Sequence, residues 1–410
     1  KLPEEFYWNN YPAWSADEKK IALVAVNQTE HFSRILIVEN GKVADFKPTA
    51  FRNIEQVVWT ADGDGFIVSA NEGENFQVWR ITIADGTIRR ITNDLNSYLG
   101  ISISHDRKKL VSRQRIYYSN IWLGRRDDLV NLKQLTDGSS RNDGLNGLAW
   151  IDEDRLVYTS NDQKIRDWNL WSLNTADGSR QKLTNDTDVQ NDFPTVSRDG
   201  KAIYFASDRS KERRIWRINV DGGDPAQVTF GEDESHQFPQ ISPDGQHLYF
   251  IIKSGRTSNI GRASLTERSV QELSGKTKFV PGNLLAISPD GKHLAFQNIA
   301  GQGTEAPSTK FQVAILSTDD PDNVRFAEIN ALRPWLVWSE DGRSFDFVAG
   351  DVKETSIFRE VFPGQGQPVP LAPMTRNAIF KFAWSPSGEK IAISRGQLLR
   401  DVVLLTDFGN

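Results

Sequence analysis

The chain has 410 residues, 38% hydrophobic and 25% charged, with 12 Trp, one Met, no Cys and a formal charge of −5. Lack of Cys excludes disulfides, thiol catalysis and cysteine metal sites, and the acidic balance argues against a broad nucleic-acid surface. No run approaches the length of a membrane span, and the start at Lys1, without a signal-peptide pattern, reads as the mature portion or an excised piece of a longer protein.

Taken in order, the chain repeats one unit. A short apolar strand runs into a turn, and the turn recurs at Asp17, Asp62, Asp106, Asp152, Asp199, Asp244, Asp290, Asp341 and Ser387, at spacings of roughly 44 to 51 residues. After the second turn, Asp62-Gly63, comes Phe66-Ile67-Val68, then a strand with an aromatic centre, Val78-Trp79-Arg80-Ile81. A second turn, Ala84-Asp85-Gly86, leads to a strand closing on Arg90-Ile91-Thr92. The third and fourth turns, Asp106-Arg107 and Asp152-Glu153, lack the Gly that supplies positive φ in a tight hairpin, as does Asp17-Glu18. The fifth copy, Ser197-Arg198-Asp199-Gly200, is the clearest, and the sixth and seventh read Ser242-Pro243-Asp244-Gly245 and Ser288-Pro289-Asp290-Gly291.

Four short strands per period, with period-2 alternation and no helical stripe, predict an all-β chain of four-stranded antiparallel blades. One β-propeller of eight or nine blades is expected over residues 1–410, since radial packing buries both faces of each blade. The Trp residues are expected to fill the space between blades. The ninth unit stops after Asp401-Val402-Val403-Leu404-Leu405, so its missing strand is expected from Lys1-Leu2 or Glu5-Phe6-Tyr7-Trp8.

The turns Ser242–Gly245 and Ser288–Gly291, with the Ser-Asp-Arg ending at Ser207-Asp208-Arg209, resemble the TolB-type, WD40-like propeller repeat. The runs Ile91–Gly100 and Phe382–Phe408 are similar to those in acidobacterial-type membrane-anchored regulators. There a Ser/Thr kinase or winged-helix domain precedes one membrane span and a C-terminal propeller. The resemblance implies an extracytoplasmic sensor, in the periplasm or at the cell surface, anchored through an N-terminal segment outside this sequence.

No Gly-x-Ser-x-Gly elbow or kinase signature occurs, so no catalytic residue is assigned. Gly275-Lys276-Thr277 lacks the upstream Gly of a phosphate loop and reads as a turn. The five His are scattered without metal-ligand spacing. The acidic run Asn185–Asp192 lacks the Gly and distal Glu of an EF-hand loop and reads as an inter-blade loop. No cofactor or metal is expected.

Binding is expected on the rim opposite the Asp-Gly turns, where polar loops sit on a rigid scaffold. Loops from a fourth strand to the next first strand contribute Tyr98, Asp143, Asp192, His236 and Arg376. Loops between second and third strands contribute Arg115, Asp167, Asp208, Arg209 and Arg395, with Arg166 beside them. His236 is the candidate pH reporter, and Asp208-Arg209 has the alternative role of bracing its own blade. The expected occupant is a small molecule, peptide or envelope protein. Two other roles stand beside the sensor: a propeller gating a peptidase or amidohydrolase domain absent from this sequence, and a periplasmic scaffold.

Overall fold

The computed structural model describes residues 6–8, 11–27, 33–46, 51, 53–71, 75–94, 96–137, 141–161, 167–255, 257–267, 269–273, 279–299, 310–330, 335–350, 354–361 and 367–406. Every regular element among them is a β-strand. They pair into eight sheets, six of them four-stranded. The burial of each strand explains its sequence. Second strands such as Gly65–Asn71 are buried on both faces between neighbouring sheets, hence a nearly continuous run of apolar and small residues. Outermost strands such as Gly222–Gln227 alternate exposed and half-buried positions and tolerate charge and proline.

Nine turns give eight sheets because the third and ninth repeats share one. Their second strands, Lys109–Arg125 and Lys390–Thr406, are each 17 residues long and lie side by side. At one end the Arg126 amide donates to the Glu389 carbonyl at 2.9 Å. Further along, the backbones approach so closely that a Cβ on Gly396 would fall 1.8 Å from the Tyr118 carbonyl oxygen, so no larger residue fits there. The C-terminal strand thus takes Lys109–Arg125 as its partner, and not the N-terminus. Phe6–Trp8 instead pairs antiparallel with Lys20–Asn27 in the first sheet, while Lys1-Leu2 and Glu5 lie outside the described residues. The reason is local: Lys20–Asn27 runs through a neighbouring repeat and offers a free edge to the segment just before it.

The chain divides into two compact units, one built from described residues of Lys1–Tyr117 and Leu398–Asn410, the other from those of Tyr118–Asp162 and Asp167–Gln397. In the first unit, Trp59, Phe66, Val68 and Trp79 of the second sheet pack on Ala22, Val24 and Ile35 of the first. A further cluster joins Val58, Ile67 and Val78 to Tyr98, Ile101 and Leu110.

The second unit closes on itself. Each of its sheets shares an apolar cluster with the next, and a last cluster joins Val348 and Ile357 to Phe382, Ile391 and Ile393. Each fully buried Leu, Ile or Phe in these clusters stabilises by roughly 1.5–3 kcal/mol. Tryptophans tie the sheets as well as filling between them. Trp150 Nε1 donates to the Ala383 carbonyl (2.9 Å), Trp338 Nε1 to Ala286 (3.2 Å) and, in the first unit, Trp59 Nε1 to Ala13 (3.0 Å). Each is an inner-strand residue reaching an inner-strand carbonyl of the adjoining sheet.

Candidate functional site

The inner strands of the second unit end in the Ser-x-Asp-Gly turns, whose chemistry is spent internally. Ser197, Ser288 and Ser339 each donate Oγ–H to Oδ1 of the turn aspartate at 2.6 Å. The same hydroxyls accept the amide five residues on, as Ala202 N–H donates to Ser197 Oγ at 3.0 Å. The Asp199 carboxyl is held below its ordinary range, first by the Ser197 hydroxyl and then by the Lys201 amide. Ser and Asp therefore shape the turn, and what remains variable is the residue between them.

Those variable residues face a cavity of about 870 Å³. At its mouth stand Arg198, Pro243, Pro289, Glu340 and Pro386, and below them the last inner-strand residues Trp150, Val196, Ile241, Ile287, Trp338 and Trp384. One wall is braced by charge. Asp346, fully buried, accepts from Arg359 Nε (2.7 Å) and Nη2 (2.8 Å) and from Trp384 Nε1 (2.7 Å). The guanidinium of Arg126 lies 4.8 Å from the Trp384 ring centre, and its Nε donates to the Gly388 carbonyl at 2.6 Å. The result is an aromatic and proline-lined bowl with separate basic and acidic points on its lip, suited to holding a ligand by apolar contact and fixing it by charge.

None of the ten rim residues expected from the sequence lines this bowl. Tyr98 and Arg115 belong to the first unit. The Tyr98 hydroxyl donates to Asp94 at 2.7 Å and accepts from Gln114 at 2.8 Å, and burial with the Asp94 carboxylate pushes its pKa up to about 12. Arg115 is half-buried opposite Ser97. Asp143 is a closure residue and not a rim contact. Its carbonyl accepts from Ser119 (2.9 Å) and Ser394 (2.8 Å), its Oδ1 accepts from Ser160 (2.6 Å), and burial raises its pKa.

Around the fifth repeat the structure gathers Asp167, Asp192, Asp208 and Arg209. Asp167 accepts the Asp188 amide at 2.7 Å, and Asp208 accepts the Gln190 amide at 2.8 Å. Arg209 donates to Asp186 (2.8 Å) and Asn191 (3.0 Å), with its guanidinium 4.9 Å from the Trp216 ring centre. Arg209 therefore braces its own sheet, and the carboxylates Asp186 and Asp192 of the acidic run are engaged by arginines. Arg395 donates to Thr375 Oγ1 at 2.7 Å over the Trp122 ring, and Arg376 stands at the surface, 92% exposed.

His236 is fully buried and does not stand on the rim. In other sheets the Thr ending the fourth strand accepts the third-strand amide and donates to a side-chain amide: Thr92 to Gln77 (2.7 Å) and Thr184 to Asn169 (2.9 Å). In the fifth repeat that position is Arg214, which has no acceptor. His236 supplies it, with Nδ1 2.7 Å from Thr229 Oγ1 and Nε2 2.8 Å from Glu234 Oε1. Because Thr229 already accepts the Ile215 amide, its hydroxyl donates to Nδ1 and the proton sits on Nε2.

Arg126, Arg198, Glu340 and Arg359 went unread in the sequence. The one signal available was that position x of the turn varies while its neighbours repeat. Arg166 and Gly275-Lys276-Thr277 lie outside the described residues. Among the described residues there is no group of three or more His, Asp or Glu able to hold a metal, and no helix long and apolar enough to cross a membrane.

The repeated turn, the four-stranded antiparallel sheets and the closed second unit define a TolB-like β-propeller. Residues 149–312 match the family described as the TolB beta propeller domain. The chain is 28% identical to dipeptidyl-peptidase 5 of Porphyromonas gingivalis over 104 residues, 24% of this chain and 15% of that protein. Among solved structures it is similar to TolB from Acinetobacter baumannii, at 16% identity and a TM-score of 0.34, covering 78% of this chain and 65% of that one. An oligogalacturonate lyase from Vibrio parahaemolyticus gives 14% identity and a TM-score of 0.36, covering 88% and 92%. The matched part thus spans 15% of the curated relative and 65% of the TolB chain.

Proposed function

We propose that the chain is a non-catalytic, extracytoplasmic binding propeller serving as the sensor of a bacterial signalling protein, with a Ser/Thr kinase as output ahead of a winged-helix regulator. Anchoring would come from a membrane segment outside this sequence. The observation that carries the binding role is the bowl. Its frame is built from repeated, internally satisfied turns, while the residue at each lip position differs, as in Arg198, Pro243 and Glu340. A rigid ring with interchangeable lip residues is how a scaffold acquires a specific ligand without rebuilding its core. The occupant would be a small molecule, a peptide or a segment of an envelope protein.

The test uses the 410-residue chain, immobilised and exposed to envelope extract and metabolite fractions. Arg198→Glu reverses a lip charge, and Ile287→Trp fills the bowl. Retention by the natural chain and loss by both variants, with unchanged melting of the Arg198 variant, is expected. Retention that survives both changes overturns the reading.

The similarity to a dipeptidyl-peptidase favours a second reading, in which the propeller gates a peptidase domain encoded elsewhere in the same protein. Release of dipeptides by the product of the complete open reading frame would select it.

A further inference from the structure

At the end of the second unit opposite the turns, two cations stand together on neighbouring sheets. Arg213 begins the third strand Glu212–Asn219, and Lys253 lies near the end of the second strand His247–Ser254. Arg213 is tied on one side only: Nη2 donates to Gln190 Oε1 at 2.6 Å and lies 2.9 Å from Asp192 Oδ2. Asp192 is fully buried and is also held through Oδ1 by Asn146 Nδ2 at 3.0 Å, so its charge is committed to Arg213. Lys253, half-buried, has a neutral partner, Asn283 Oδ1, at 2.6 Å.

An ammonium has three donors, and a cation taken partly out of water is costly unless an anion faces it. Burial depresses the Lys253 pKa, the Arg213 charge depresses it further, and no carboxylate acts to restore it. The balance of the pair is one carboxylate for two cations, and the free donors of both point to the same missing group. A purely structural role gives no reason to keep a lysine here, because an uncharged side chain of the same length would relieve the repulsion.

We propose that Lys253 and Arg213 form an oxyanion site on this rim, binding a ligand through one carboxylate or phosphate head group. The site is independent of whatever occupies the bowl at the turn end. Arg213 gives the planar, directional contact, and Lys253 the mobile point charge that closes on the anion.

The test titrates the full 410-residue chain with inorganic phosphate and with acetate, against chloride at equal ionic strength, following melting temperature and heat of binding. Stabilisation that rises with concentration is expected for at least one of the two, and which one identifies the head group. Lys253→Met should weaken that binding about tenfold or more, and Lys253→Arg should largely retain it. In chloride alone, Lys253→Met should melt at or above the natural chain, since it removes a like-charge contact. An equal response of the natural and Met chains to both anions, no response to either, or a lower melting temperature of the Met variant in chloride would each overturn the proposal.

Discussion

At the scale of single residues, His236 shows how a buried polar position follows from its neighbours. With Arg214 unable to accept, the Thr229 hydroxyl needs another acceptor, and neutral imidazole with its proton on Nε2 serves both Thr229 and Glu234. Burial lowers the His236 pKa below its ordinary value, opposed in part by the Glu234 carboxylate; the nearby Arg214 cation lowers it further. The folded state therefore favours the neutral ring. This stabilisation is present in full above the unfolded pKa, near 6.5, and is lost as pH falls through the lower folded value. Urea unfolding from pH 8 to pH 4.5 should show a loss of stability in acid that is smaller in His236→Gln. Equal acid sensitivity of the two chains would refute it. His236→Ala leaves a buried hydroxyl without an acceptor and a cavity beside Phe250, and should cost about 3 kcal/mol at neutral pH.

At the scale of the element, the turn was legible because everything it needs is local. Ser, Asp and Gly stand within four residues, and the hydrogen bonds among them require no other part of the chain. Where the Gly is absent the conformation persists at a cost: Glu18 and Arg107 sit at φ 58° and 56°, close to Gly200 at 67° and Gly245 at 70°. Glu18→Gly should therefore raise the melting temperature, whereas Gly245→Ala, with open space around its Cβ, should cost about 1–2 kcal/mol from φ alone. Gly200→Ala should cost more, because its Cβ would meet the Ile151 carbonyl oxygen at 3.1 Å. Equal losses at the two positions would show that the added contact is relieved without penalty. The candidate site was harder to read. The turn marked where the bowl's lip would be, but its repetition drew attention to the constant Ser and Asp, which face inward into the turn. Asp143 and His236 looked like polar rim residues because burial depends on partners such as Ser394 and Thr229, distant or unremarkable in sequence.

At the scale of the whole molecule, the sharing of one sheet by the third and ninth repeats left no local trace. Arg126 and Gly388, which meet at that junction, are 262 residues apart, and loop-closure entropy grows too slowly with length to forbid such pairing. The junction is laced by side chains that look ordinary in the sequence. Glu153 accepts from the Ser387 amide (2.6 Å) and hydroxyl (2.8 Å), and Lys390 donates to Asp154 at 2.9 Å. Within the second unit, Ala378–Trp384, Asp128–Gln134 and the adjoining halves of the two long strands complete a sheet of their own. Residues 118–397 expressed alone should therefore fold, with Trp near-UV dichroism and a single calorimetric transition. Ending the fragment at residue 377 should abolish that transition. It would strip Phe382, Ile391 and Ile393 from the cluster holding Val348 and Ile357, each side chain contributing roughly 1.5–3 kcal/mol against a total stability of about 5–15 kcal/mol. A molten or aggregated 118–397 fragment would mean that the second unit is not self-sufficient. A 118–377 fragment as stable as the longer one would mean that the last repeat does not close it.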